Sequence, residues 1–230
     1  KALAIRTAIA DVIDRSALTL SIGGSWVRPL GSYLPDGVPG TSTVVEDLYG
    51  DSSGGPNIET ATQLLAAAAI TTPVEFSIHV DLDAVGDPGS AEVAGIAAQL
   101  EATGLFTVKV VTTDSAGLDK ASAAGEVQAK FTSVLPANSD PIGYLAPFRT
   151  GGPIATGFTD TQVDALLTNL SLELDPDLRA QDLTDVQALI AAKVPAIPIT
   201  QGVRVVFARS SIQTIKLDDS LPLELNRLMR

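Results

Sequence analysis

Cysteine is absent from this 230-residue chain, which removes disulfide staples, thiolate zinc sites and a cysteine nucleophile from consideration. Histidine occurs once, at His79, so any Ser-His-Asp relay would have to pass through it. No G-x-S-x-G elbow sets a serine on a strand-to-helix turn. Long apolar runs are missing as well. The longest, Leu64 to Ile70, falls far short of the roughly 20 residues that a membrane-spanning helix needs. Basic residues are scarce: 15 Lys and Arg stand against 27 Asp and Glu, a formal charge of -12. Such a field repels phosphate backbones and anionic lipid, so nucleic acid is not an expected partner and the acids serve to solvate an alanine-rich surface. Ser52-Ser53-Gly54-Gly55 lacks the Lys-Ser/Thr that would follow in a phosphate-binding loop.

What is present is a globular share of apolar residues, 45%, arranged with clear periods. Ile5, Ala8, Ile9, Val12 and Ile13 form the stripe of a core-facing helix that is already under way at Lys1, and the chain is therefore expected to be a piece of something larger. Residues 21 to 56 are rich in Gly, Pro, Ser and Thr and read as a long loop region. Asn57 caps a helix carrying Ile58, Ala61, Leu64, Leu65 and Ala68 on one face. Val74 to Val80 alternates as a strand, Ser90 is the expected cap of a helix through Leu100, Gly104 ends it, and Phe106 to Val111 is the next strand. Residues 73 to 113 thus have βαβ length, with parallel strands and a right-handed crossover. A helical piece at 118 to 128 and a strand at 130 to 135 follow, then an irregular stretch from 136 to 157. Thr159 with Gln162 suggests a capping box for a helix through Leu170, and Asp175-Pro176 starts a helix to about Lys193. Closing strands are expected at 195 to 200, 203 to 208 and 212 to 217.

Several constellations carry possible chemistry. Asp81, Asp83, Gly86 and Glu92 occupy positions 1, 3, 6 and 12 of a calcium-loop pattern, but Val85 stands where a third oxygen ligand belongs and a strand precedes the loop. A solvated strand end followed by a capped helix is the favoured reading. Trp26, the only tryptophan, sits on a polar loop and is either a ligand contact or a plug tying that loop down. Tyr33 and Tyr144 carry the same alternative, and Arg149 faces either a ligand carboxylate or solvent. Asp14 and Arg15 are expected to make structural hydrogen bonds at a helix end.

In order along nearly the whole chain, these segments resemble one family: the extracellular solute-binding proteins of ABC importers, of the oligopeptide, dipeptide and nickel-binding class. Arg6, Ala8, Ile13, Asp14 and Arg15 match its R-x-A-x-x-x-x-I-D-R helix, and Ile58 to Ala69 its paired-leucine, alanine-rich turn. Glu92 to Val110 is similar to its helix-Gly-strand unit. Phe158-Thr159-Asp160 with Val163-Asp164 and Leu166-Leu167 is similar to the helix that follows. Asp175 to Arg179, Gln187 and Pro195 to Ile199 match its D-P-x-x-R … P-x-I-P-[LI] close.

The resemblance implies a mixed α/β lobe of a two-lobed periplasmic-binding-protein-like fold, with a βαβ unit and a C-terminal helical pair. Residues 1–200 would form the C-terminal ligand-binding lobe, and residues 201–230 a return segment toward a missing N-terminal lobe. A peptide or other small solute would be captured between the lobes without catalysis and without a cofactor or metal, and passed to the importer's membrane subunits. The location implied is extracellular or in the cell envelope, with membrane anchoring, as in a lipoprotein, through the missing N-terminus. The family's ligand loop corresponds to Val134, Leu135, Ala137 and Asn138, running into Asp140-Pro141. Val134 stands at its tryptophan position and Ala137 at its amine-anchoring aspartate. A charge-assisted hydrogen bond there contributes roughly 1.5–3 kcal/mol, so free-amine peptide binding is weakened by its loss. A docking or sensor module built on the same fold is the alternative that this departure favours, with a hydrolytic enzyme behind it.

Overall fold

Helix α1 (Ala2–Val12) presents its apolar residues to two hydrophobic clusters at once, which is what organises the molecule. The computed structural model describes residues 1–23, 26–51, 53–136, 140–154, 157–202 and 209–210. Ile13 leaves the helical conformation, and Asp14 caps the next helix, α2 (Arg15–Ile22), by accepting from the Ala17 N–H at 2.8 Å. The Gln99 side-chain amide grips both backbone groups of Asp14, at 2.9 and 3.0 Å, so the break between the two helices is pinned from outside. The long loop region is less irregular than its composition suggests. It contains strand β1 (Val27–Pro29) and the short helix α3 (Val44–Leu48) before α4 (Ile58–Ala67), which Asn57 caps as expected.

Strands β2 (Val74–Asp81) and β3 (Phe106–Thr113) are parallel and joined by α5 (Leu82–Ala102), as the βαβ pattern predicts. Helix α5 begins earlier than a Ser90 cap would have it. Asp81 caps its first turn, Gly86 then leaves helical geometry at φ 63, ψ -168, and the main helix follows with Pro88 close to its start, where a missing N–H is tolerated. Gly104, at φ +71, closes the helix as expected. Helix α6 (Ser115–Ala123), capped by Asp114, leads to β4 (Ala129–Phe131), which pairs parallel to β2 on the side opposite β3. The expected strand through Leu135 is cut short. β4 reaches Val80 with Phe131, and β2 ends one residue later, so no partner backbone remains for the rest.

Val74, Phe76, Ile78 and Val80 all face the cluster built with Ala8, Val12, Leu18, Leu65, Val93, Ile96, Leu100 and Phe106. A Cβ on Gly95 would meet Leu18 Cδ2 at 2.7 Å, so glycine permits the close crossing of α2 and α5.

The second cluster gathers α7 (Ile142–Leu145), a 3-10 turn at Ala146–Phe148, α8 (Thr161–Leu172) and α9 (Pro176–Lys193) around Leu145, Phe148, Leu167, Leu183 and Ile190. The stretch from 136 to 157 therefore contains helical turns. Asp160 rather than Thr159 caps α8, accepting from the N–H groups of Gln162 and Val163 at 2.9 and 3.2 Å, whereas Asp175 caps α9 as predicted. Arg6 reaches from α1 to the far end of α9, donating to the carbonyls of Val194 (2.7 Å) and Lys193 (2.9 Å), where the helix dipole favours a cation. Gln187, fully buried, donates to the Gly40 carbonyl at 2.8 Å and holds the preceding loop on α9. Of the expected closing strands, 195 to 200 is largely irregular because Pro195 and Pro198 cannot donate to a ladder. Only β5 (Thr200–Gly202) forms there, antiparallel to β1. Segments 203 to 208 and 212 to 217 lie outside the described residues.

Candidate functional site

The order β3-β2-β4 creates a switch point. The chain leaves β2 toward β3 on one side, then returns past it to β4 on the other. At such a point the connections diverge, leaving a crevice outside the carboxyl ends of the parallel strands, which is where open α/β sheets bind ligands. Three exits meet at this edge: β2 into α5, β3 into α6, and β4 into residues 132–136.

The edge is braced by hydrogen bonds. Asp81, buried at the end of β2, accepts from the N–H groups of Asp83 (3.0 Å) and Ala84 (3.3 Å), and its other oxygen accepts from the Ser115 hydroxyl at the start of α6. One carboxylate thus ties two helix starts to one strand. Glycine at position 89 spares Val85, whose Cβ an added methyl would meet at 2.5 Å, while the Phe131 ring lies at ordinary contact distance, 3.5 Å from the same point. One turn on, buried Glu92 accepts from the Thr200 hydroxyl at 2.8 Å and brings β5, and with it β1, against α5. Burial pushes the Glu92 carboxyl above its ordinary value, and the Thr200 hydrogen bond partly opposes that.

Around this frame lie exposed apolar side chains: Leu135 (78% exposed), Trp26 (52%), Val134 (39%) and Leu82 (39%). Val134 and Leu135 are on the segment leaving β4, and Trp26 immediately precedes β1. Ala137 and Asn138 lie outside the described residues. Asp140, next in that segment, pairs with Arg179 of α9 at 2.9 Å and accepts from the Ile142 N–H at 2.9 Å, so Asp140-Pro141 anchors the loop's far end.

The other sequence candidates sit in the second cluster. The Tyr33 ring is buried edge-on against Phe148, with centroids 5.2 Å apart, and its hydroxyl donates to the Ala196 carbonyl at 3.0 Å. Tyr144 packs on the same cluster, and Arg149 donates to the Leu167 carbonyl at 2.8 Å. The structure therefore gathers Tyr33, Tyr144 and Arg149 around α8 and α9, apart from the sheet edge that carries Val134 and Leu135. Thr200 and Ser115 were not legible as site residues, because their partners lie far along the chain. Asp81 and Glu92 stood out in the sequence only as positions of the calcium-loop pattern, not for the contacts they make.

Asp81 and Glu92, paired in the calcium-loop pattern, face different partners. Among the described residues no group of three or more His, Asp or Glu side chains is placed to hold a metal ion. No helix of the described residues is long and apolar enough to cross a membrane.

A mixed α/β unit with this switch point and a C-terminal helical pair is a periplasmic-binding-protein-like fold. The chain belongs to the bacterial extracellular solute-binding proteins, family 5: the model of that family's middle portion matches residues 1–156. Among solved structures, the dipeptide binding protein of Pseudoalteromonas sp. SM9913, in complex with Met-Leu, superposes with a TM-score of 0.79 at 18% identity, covering 98% of this chain and 45% of its own. NikA of Staphylococcus aureus, in complex with Ni(L-His)2, gives 0.74 at 18% identity, covering 98% and 47%. OppA of Burkholderia pseudomallei gives 0.73 at 23% identity, covering 86% and 39%. The chain thus spans less than half the length of these structures. A comparison with curated protein sequences returns no match.

Proposed function

We propose that residues 1–200 are the C-terminal ligand-binding lobe of a two-lobed solute-binding protein, with residues 201–230 leading back toward the other lobe. The assembled protein captures a peptide or small solute between its lobes without chemistry and delivers it to the membrane subunits of an ABC importer. It works outside the cytoplasmic membrane, anchored through the segment that precedes this lobe. The observation that carries this reading is the position of the exposed Val134-Leu135 segment, at the carboxyl edge of a parallel sheet in a chain of this family. Ligand bridging favours a closed arrangement only through contacts that the open one lacks, so a half-site of this kind needs its counterpart.

A thermal-shift screen of the intact two-lobed protein tests the proposal, with dipeptides, longer peptides and nickel–histidine complexes as probes. A ligand present at a hundred times its Kd adds about 2.7 kcal/mol to the native state, and the midpoint must rise. A flat midpoint across all three probe classes would overturn solute capture and favour the docking or sensor role.

A further inference from the structure

The stretch that runs into β5 is held residue by residue, each time by a different part of the lobe. The Ala196 carbonyl accepts from the Tyr33 hydroxyl at 3.0 Å, and Ile197 packs into both hydrophobic clusters. Arg15 Nε donates to the Pro198 carbonyl at 2.8 Å, and the Leu30 N–H donates to the Ile199 carbonyl at 3.0 Å. The Thr200 hydroxyl donates to Glu92 Oε1 at 2.8 Å. Gln201 closes the series: its side-chain oxygen accepts from the Asp36 N–H at 2.7 Å, and its side-chain nitrogen donates to the Pro29 carbonyl at 3.3 Å.

Glu92 is the costly member of this series. It is only 7% exposed, no Lys or Arg among the described residues pairs with it, and burial pushes its carboxyl up. A buried carboxylate without a cation destabilises the state that holds it, and an apolar side chain of similar volume would serve the packing of α5 better. Val93 and Ile96, beside it on the helix, are core residues of that kind. The Glu92 side-chain hydrogen bond goes instead to β5, the strand in which, on the reading proposed above, the return toward the other lobe begins. We propose that Glu92 is a positioning residue for lobe closure. By fastening Thr200 to α5 it makes the departing strand turn as one body with the sheet whose edge meets the solute. A slack strand would spread the two lobes over many relative orientations, and the one that brings both half-sites together would be less populated. This inference rests on the two-lobed reading and adds the side chain that couples the lobe to its connection.

The intact two-lobed protein tests it without a ligand. A spin label at Ala123→Cys, on the exposed end of α6 in this cysteine-free chain, and a second label on the other lobe give the distribution of interlobe distances by pulsed electron resonance. Glu92→Leu should widen that distribution while leaving the urea midpoint no lower than that of the wild type. Glu92→Gln, which keeps a side-chain oxygen for Thr200, should keep the wild-type width. Thr200→Val should widen the distribution as much as Glu92→Leu, and the two together no further, since both remove the same bond. An unchanged width in Glu92→Leu, whatever its midpoint, overturns the proposal, as does a Glu92→Gln protein as wide as the leucine variant. Should Glu92→Leu fail to fold, Thr200→Val decides by the same criterion. Small-angle scattering that shows no second lobe would end the two-lobed reading itself, a result distinct from two lobes whose distances do not respond to the substitutions.

Discussion

Among the described residues, arginine satisfies main-chain carbonyls more than it pairs with acids. Arg6 closes the end of α9, Arg179 donates to the Leu170 carbonyl of α8 at 2.6 Å, Arg149 to that of Leu167, and Arg15 to that of Pro198. Hydrogen bonds from a charged donor contribute about 1.5–3 kcal/mol, so Arg6→Ala is expected to cost about 2 kcal/mol. The cost should be read as a lower urea midpoint with an unchanged slope. Asp11 makes a second residue-scale prediction. Burial holds its carboxyl above the ordinary value, against the opposing effects of the Gly50 N–H and Arg15, and Tyr33, Tyr49 and Glu46 are the other titratable groups facing this pair. The folded state therefore binds this proton more tightly than the unfolded chain. The group's stabilisation is whole below the unfolded value, near about 4, and is lost as pH rises through the folded one. Asp11→Asn should gain on the wild type between acid and neutral pH; a difference between urea midpoints that does not change with pH would refute this.

At the level of elements, caps and glycines set the boundaries. Asp14, Asn57, Asp81, Asp114, Asp160 and Asp175 each precede a helix whose first N–H groups they accept from. Gly86 breaks α5 so that its first turn can follow the sheet edge while the main helix packs on Leu18 and the sheet. Its backbone, at φ 63 and ψ -168, is a region essentially reserved for glycine, so Gly86→Ala should cost about 1–3 kcal/mol. The loss should appear in chemical denaturation. An unaffected variant would mean that the kink is not needed.

For the molecule as a whole, two clusters share α1 and are joined by Ile197, which packs against both. The edge proposed to face the ligand belongs to the sheet cluster, while α8 and α9 brace the loop behind it through Arg179 and Asp140. If Leu135 contributes to capture, Leu135→Asp should leave the ligand-free midpoint unchanged, since the side chain is exposed, and raise the apparent Kd about tenfold, so that the same ligand concentration lifts the midpoint less. An unaltered rise would remove this residue from the site.

Local chemistry was enough to read most elements from the residues themselves. Period-two alternation marked β2, Asp175-Pro176 marked α9, Asn57 and Gly104 marked helix ends, and the ordered motifs marked the family, because each is a property of neighbouring residues. The tertiary structure alone decided where β4 stops, which depends on the length of β2. It alone buried Tyr33 and turned Arg149 onto α8, since aromatic and arginine side chains look the same in sequence whether they line a pocket or fasten a core. The same is true of the pairing of Glu92 with Thr200, 108 residues apart. These contacts join segments whose meeting is settled by packing across the molecule and leaves no local pattern.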